Sequence, residues 1–170
     1  MESDPRLTRR SYLQATGAAA VATGLAGCSG DGSDETLSGE DYPAVEEWLT
    51  ETEVGAAAPN YDGTIVDHRG QDTVDVGVGT GDTGIEFGPV AVAVSPGTTI
   101  RWEWTGKGGE HNVEAEPEDQ IGESDYEFSS GDPVNAEGET FEQTLEEAGI
   151  ALYHCEPHLA VGMKGAIVVE

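Results

Sequence analysis

The most informative stretch of this sequence lies near the C-terminus and reads Tyr153-His154-Cys155-Glu156-Pro157-His158-Leu159-Ala160-Val161-Gly162-Met163-Lys164-Gly165. Residues 150–155 and 163–169 have the composition of β-strands, so this segment is predicted to connect two antiparallel strands. The thiol of Cys155 ends the first strand, the imidazole of His158 lies in the connection and the thioether of Met163 starts the second strand. A tight connection of this kind can bring the three groups around one point.

The rest of the chain from about residue 60 shows the same two-residue period. In residues 98–104, the apolar side chains of Ile100, Trp102 and Trp104 alternate with charged ones, which predicts a strand with one buried face. We expect both tryptophans in the core. Short strands separated by turn residues, with 24 glycines, predict an all-β sandwich. The other segments with strand composition are 64–68, 73–78, 90–94 and 139–145, and the acidic stretch 114–139 is predicted to cross the surface, with room for a short helical turn.

A fourth candidate ligand is His111, which follows the tryptophan-rich strand and precedes Cys155 by 44 positions. Two imidazoles and one thiolate in a plane, with a weak axial thioether, form the blue-copper electron-transfer site. His68 lacks such a context and is predicted to be a surface turn residue. Strand alternation puts Tyr153 on the face of Cys155 and turns His154 away, so His154 is not expected to be a ligand.

The spacing Cys155-x2-His158-x4-Met163, with Pro157 before the histidine and Gly162 before the methionine, resembles the plastocyanin branch of the cupredoxins. The resemblance covers about residues 60–170 and implies a Greek-key β-sandwich that holds one type 1 copper. It implies four copper ligands, and it implies that Asn112 and Pro157 lie just behind them, with Asn112 joining the two ligand loops. The implied ligands are His111, Cys155, His158 and Met163.

The sequence departs from the plastocyanin pattern at His154. Plastocyanins often carry a tyrosine immediately before the cysteine, at a surface patch used for a remote electron route. The histidine puts that route in doubt and favours electron transfer through His158, whose neighbours Pro157, Leu159, Ala160 and Val161 form an apolar rim.

The N-terminus has the pattern of an exported lipoprotein. Residues 8–13, which include Arg9 and Arg10, resemble a twin-arginine export signal, and the uncharged run that follows is too short for a membrane span. Leu25-Ala26-Gly27-Cys28 resembles a lipobox, although Cys28 can also be read as an incidental thiol. We therefore expect a signal peptide over residues 1–27, then a lipidated Cys28. Residues 28–59 are expected to form a flexible acidic tether to about residue 43 and a short helix over 44–52.

The charge balance excludes several classes of partner. The chain has 34 acidic and seven basic residues, a formal net charge of -27 and a sequence pI near 4.1. Nucleic acids and anionic membrane surfaces would be repelled. Loss of residues 1–27 would leave 32 acids, four bases and a charge of -28. Such a charge suits a protein that works in molar salt, where repulsion is screened, and in this respect the chain resembles the copper proteins of halophilic archaea. The alternative is an ordinary acidic secreted protein. Two cysteines exclude a disulfide framework and multi-thiolate centres.

Together these features predict a monomeric one-electron carrier that is lipid-anchored on the outer face of the cytoplasmic membrane. It would cycle Cu(II) and Cu(I) between respiratory redox partners. It is not expected to be an enzyme, because the four ligands leave no strong open position and His68 and His154 cannot build a second copper cluster. Two alternatives remain: a lipoprotein for copper capture or delivery, and a sandwich whose site is vestigial or holds zinc.

Overall fold

A computed structural model describes residues 35–115 and 124–170 of the chain. The predictions for Arg9, Arg10 and Cys28, the signal peptide and the first part of the tether lie outside these residues. Within the described residues, no helix combines the length and the apolar character that crossing a membrane would require.

The described residues form two facing β-sheets, which confirms the predicted all-β sandwich. One sheet has the order β1-β2-β5-β9-β8 and the other β4-β3-β6-β7. The strands are β1 (Thr36–Ser38), β2 (Thr64–Asp67), β3 (Thr73–Thr80), β4 (Glu86–Gly88), β5 (Ala91–Val94), β6 (Thr98–Trp104), β7 (Thr140–Leu145), β8 (Gly149–His154) and β9 (Lys164–Val169). One α-helix, α1 (Pro43–Thr50), and two 3-10 helices, Gly39–Asp41 and Glu156–Val161, complete the elements.

The core between the sheets follows from the alternation of β3 and β6, which pair in parallel. Every second residue of β6 is buried, as predicted, and the same is true of Val74, Val76 and Val78 in β3. Trp102 lies at the centre, where its ring contacts those of Phe128, Phe141 and Tyr153 at centroid distances of 5.2–5.5 Å. The expectation that Trp102 and Trp104 are core residues is confirmed.

Strand β9 is buried along its whole length because both of its faces are covered. Ile167 and Val169 face the core between the sheets, whereas Ala166 and Val168 belong to a second apolar cluster on the outer side. Helix α1 covers that outer side with Val45, Trp48 and Leu49, the spacing that predicted it. Pro43 occupies the first turn of the helix, where its missing N–H costs nothing.

The prediction of a flexible tether to about residue 43 is wrong for residues 36–43. Residues 36–38, expected to be flexible, form β1 and pair with β2, with Leu37 opposite Ile65. The amide of Gly39 also donates to the carbonyl of Gly63 at 2.8 Å. Backbone hydrogen bonds and one leucine stabilise this edge strand. Its neighbours in the sequence are mostly glycine, serine and acidic residues, so the sequence pattern does not predict a strand here. The folded part of the chain therefore begins well before the predicted boundary at residue 60.

The described part of the predicted surface stretch, residues 124–139, contains no helix. It is attached to the end of the sandwich by isolated bridges, which pair Ser129 with Glu114 and Val134 with His111. Phe128 inserts its ring into the core, so this stretch packs more deeply than a surface excursion. It thereby covers the end of the sandwich at which the candidate ligands lie.

Candidate metal centre

Three of the predicted ligands come together at one end of the sandwich. Cys155 directly follows β8, His158 lies in the 3-10 helix behind it, and His111 follows β6. The Sγ atom of Cys155 is 3.4 Å from Nδ1 of His158 and 3.6 Å from Nδ1 of His111. All three candidate ligand atoms lie within 4.8 Å of one another. Cys155 and His111 are buried, whereas His158 is partly exposed.

The orientation of His111 is set by its other ring nitrogen. Nε2 lies 2.8 Å from the carbonyl oxygen of Lys107, and because a carbonyl only accepts, Nε2 carries the hydrogen. The unprotonated Nδ1 then faces Cys155 and is free to bind a metal. Trp104 supports the same loop, since its Nε1 donates to the carbonyl of His111 at 3.0 Å.

A close approach of two loops completes the support of His111. Gly108 has a φ of +78°, and a Cβ there would fall within 3.0 Å of the carbonyl oxygen of Gly84. Only glycine combines this backbone conformation with the space available. The segment from Lys107 to His111 is therefore held against the connection between β3 and β4.

The C-terminal ligand loop is closed by its own backbone. The amide of Cys155 donates to the carbonyl of Met163 at 3.0 Å, and the amide of Met163 donates to the carbonyl of His158 at 3.2 Å. Gly162, with a φ of +89°, ends the 3-10 helix in the left-handed conformation. Met163 is fully buried in the same apolar cluster as Cys155. One tight connection therefore gathers the backbones of Cys155, His158 and Met163, while the binding of a metal by the Met163 thioether stays a prediction.

Asn112 joins the two ligand loops through its side chain. Its Oδ1 accepts from the amide of Glu156 at 2.9 Å, and its Nδ2 donates to Oε2 of Glu156 at 2.7 Å. Asn112 is fully buried and neighbours His111, while Glu156 neighbours Cys155. Pro157 lies in the first turn of the 3-10 helix, where its fixed φ favours the turn that carries His158.

The protonation states of the site suit a cation. Burial raises the pKa of the Cys155 thiol to about 11, and burial together with the neighbouring His111 lowers the pKa of His158. The imidazole is thus neutral at pH 7, as a ligand must be, and the thiol loses its proton only when a positive charge binds beside it. Two nitrogens and one thiolate, with a methionine in the same loop, form a donor set that fits copper.

The remaining histidines lie elsewhere. His154 is buried on the opposite face of β8, with its ring 6.3 Å from that of Trp48, so the expectation that it turns away from the site is confirmed. The sequence does not reveal that α1 covers it. His68 lies in a turn after β2, with Nδ1 2.9 Å from Nε2 of Gln71. Neither is among the residues grouped around Cys155.

Comparison with known proteins agrees with this site. Residues 73–170 match the family model for copper binding proteins of the plastocyanin/azurin family. The chain belongs to this family. The resemblance stated from the spacing of the C-terminal loop is thereby confirmed, and copper is the metal of the family.

Individual relatives and solved structures cover different shares of the chain. The halocyanin of Natronomonas pharaonis is 47% identical over 96% of this chain and 98% of its own length. Plastocyanin A/B of Petroselinum crispum is 35% identical over 56% of this chain and 99% of its own length. The solved structure of a purple cupredoxin from Nitrosopumilus maritimus is 24% identical, has a TM-score of 0.45 and covers 57% of this chain and 99% of its own.

Proposed function

We propose that this protein is a one-electron carrier in which His111, Cys155, His158 and Met163 hold a single type 1 copper. Membership of the plastocyanin/azurin family makes it a copper electron carrier of the cupredoxin type and not an enzyme. The observation that carries the ligand assignment is the position of the Cys155 thiol between the Nδ1 atoms of two histidines. When bound, copper supplies the one-electron couple between Cu(II) and Cu(I).

The surrounding residues serve electron transfer by holding the ligands still. The loop hydrogen bonds of Cys155 and Met163, the bond from His111 to Lys107 and the bridge through Asn112 do not depend on the oxidation state of a metal. A ligand set fixed in this way changes little between the two states. The energy of rearrangement that accompanies each transfer is therefore small.

His158 is the ligand that offers a path to the surface, because it is partly exposed while Cys155 and His111 are buried. Around it lie the exposed residues Pro157, Ala160 and Val161, the last with 49% of its surface accessible. An apolar rim of this kind allows a partner to approach without trapped water. We infer that electrons enter and leave through the edge of the His158 ring. The remote route of plastocyanins would need a surface residue at position 154, and His154 is instead buried beneath α1.

The partners that we propose are redox proteins of the respiratory chain at the outer face of the cytoplasmic membrane. Export through Arg9 and Arg10 and lipidation of Cys28 would keep the folded domain, as a monomer, near those complexes. The sequence pattern around Cys28 supports this anchoring. Replacement Cys28→Ser should release the protein from the membrane fraction, and unchanged retention would contradict the anchor.

The carrier function is tested by comparing His158→Ala with His68→Ala, a matched change outside the site. We expect the copper-loaded protein to show a reversible one-electron wave in voltammetry and to keep its copper against a chelator. His68→Ala should retain both properties and His158→Ala should lose them. Rapid transfer of copper from the unchanged protein to the chelator, without a reversible wave, would favour copper delivery and contradict the carrier.

A further inference from the structure

A segment of the chain outside the family match lies against the back of the C-terminal ligand loop. It comprises residues 48–58, from the last turn of α1 into the connection to β2, and we call it the brace. The family match begins only at residue 73. The brace is folded on itself, since the amide of Ala58 donates to the carbonyl of Leu49 at 2.8 Å. Oε2 of Glu51 also accepts from the amides of Glu53 and Val54, at 2.6 and 2.9 Å.

The first connection between the brace and the ligand loop is Lys164, which directly follows Met163. Its side chain is fully buried, and its Nζ donates to Oε1 of Glu51 at 2.5 Å. The same Nζ donates to the carbonyls of Trp48 and Glu51, at 3.3 and 3.2 Å, and lies 4.5 Å from the centre of the Trp48 ring. All three hydrogens of an ammonium group can therefore bind to the brace. Lys164 thus ties the residue next to Met163 to the end of α1.

The second connection is made by backbone atoms. Gly55 has a φ of +76°, and a Cβ there would fall within 3.0 Å of the carbonyl oxygen of Leu159. Gly162 has a φ of +89°, and a Cβ there would similarly overlap the carbonyl oxygen of Ala57. No side chain separates the two backbones at these points. A displacement of the brace would therefore displace the loop within the 3-10 helix that carries His158 and at the C-terminal end of that helix.

The third connection is apolar. Leu159 of the ligand loop and Val54 of the brace both pack against the outer apolar cluster, to which Trp48, Leu49 and Ala58 of the brace belong. A 3-10 helix of only six residues has poor hydrogen-bond geometry and little stability of its own. The contact with the brace covers the side of that helix that faces away from the ligand cluster.

From these contacts we propose that the brace is a positioning element, which holds the loop of His158 and Met163 in its ligand-binding arrangement before any metal binds. The inference rests on the proposed function, because it names what fixes two of the proposed copper ligands. Groups behind the ligands orient them, and their loss typically lowers metal affinity by about 10- to 100-fold. Glu51 and Lys164 are the side chains on which this role depends most.

The first test uses Gly55→Ala and its matched control Gly63→Ala in the metal-free protein. Both glycines have positive φ, +76° and +87°, so both substitutions strain the backbone, but only the Cβ at position 55 meets the ligand loop. We expect hydrogen exchange at the amides of Gly162 and Met163 to be about tenfold faster in Gly55→Ala, from a loss of local stability. Exchange in Gly63→Ala should match the unchanged protein. Equal exchange at these amides in both variants would overturn the proposal.

This measurement needs no metal, so its failure is distinct from a failure of the copper assignment.

The second test uses the copper-loaded protein and compares Glu51→Gln with Glu53→Gln, an exposed neighbour. We expect about tenfold faster copper release and an altered electron paramagnetic resonance spectrum in Glu51→Gln alone. A lower unfolding midpoint in Glu51→Gln with unchanged release and spectrum would show that the ion pair only stabilises the fold, and would overturn the proposal.

Discussion

At the scale of single residues, some groups of the site can be predicted from the sequence and others cannot. The four proposed ligands are visible from the spacing of the two motifs, because their side-chain chemistry is distinctive, whereas the role of Asn112 was implied only by the resemblance to plastocyanins. The acceptor for His111 is the carbonyl of Lys107, and a backbone carbonyl leaves no trace in a sequence. Lys164 gives a weak signal, as one of few bases in an acidic chain, but its burial against Glu51 depends on a segment more than 100 positions away.

Replacing Asn112 by alanine should loosen the two ligand loops together. The buried amide makes two short bonds to Glu156, one of them to its carboxylate, so its loss should cost about 1–3 kcal/mol in urea unfolding of the metal-free protein. Copper release should be about 10- to 100-fold faster. Asn60→Ala, which loses a bond to the carbonyl of Phe87 instead, serves as the control and should release copper at the original rate. Equal release from the two variants would contradict the role of Asn112.

Replacing Met163 by leucine tests the proposed axial ligand. The change keeps the buried volume, so the free energy of unfolding of the metal-free protein should fall by less than about 1.5 kcal/mol. Loss of a weak thioether donor removes some stabilisation of Cu(II), and the reduction potential measured by voltammetry should therefore rise. An unchanged potential would show that Met163 is a core residue and not a ligand.

At the scale of elements, the accuracy of prediction follows how each element is stabilised. Strand β6 and helix α1 were predicted because their buried side chains recur at periods of two and of three to four residues. Strand β1 was missed because backbone pairing with β2 stabilises it more than side-chain burial does. The part of the brace beyond α1 was missed for a related reason: its residues 54–58 have no periodicity, and close backbone contacts, one ion pair and a small apolar contact attach it to the ligand loop.

The ion pair between α1 and β9 should make stability depend on pH. Burial alone would raise the pKa of Glu51, but hydrogen bonds from Lys164 and from the amides of Val54 and Glu53 lower it below its ordinary value of 4.5. Between the lower pKa of the folded state and about pH 4.5, the unfolded state binds more protons than the folded state. The stability that Glu51 contributes is therefore complete above about pH 4.5 and is lost as the pH falls through the folded pKa. The difference in unfolding free energy between the unchanged protein and Glu51→Gln should be constant from pH 6 to 8 and shrink below about pH 4.5. A constant difference down to pH 3 would contradict this.

At the scale of the whole molecule, the excess of acidic residues dominates the electrostatics. Three of the four bases beyond residue 27 form ion pairs in the structure, Arg69 with Asp67 and Glu170, Arg101 with Asp75 and Lys164 with Glu51. With a formal net charge of -27, the folded state contains far more carboxylates than cations can neutralise. Repulsion between them opposes compactness unless salt screens it.

Thermal unfolding should therefore depend on ionic strength. The screening length falls from about 10 Å at 0.1 M salt to about 3 Å at 1 M, so the melting temperature should rise between dilute buffer and molar KCl at pH 7. The same comparison near pH 4, close to the sequence pI of 4.1, should show a much smaller rise because the net charge there is small. Equal melting temperatures at pH 7 in low and high salt would contradict an adaptation to salt.

The central claim is that the Cys155 thiolate binds copper together with two histidines. The most direct measurement is the visible absorption spectrum of the oxidised, copper-loaded protein, with Cys155→Ser as the comparison at equal protein and copper concentrations. We predict an intense blue thiolate-to-copper absorption in the unchanged protein and its loss in Cys155→Ser. A colourless copper-loaded protein, or a blue band that survives in Cys155→Ser, would contradict the assignment of a type 1 copper site.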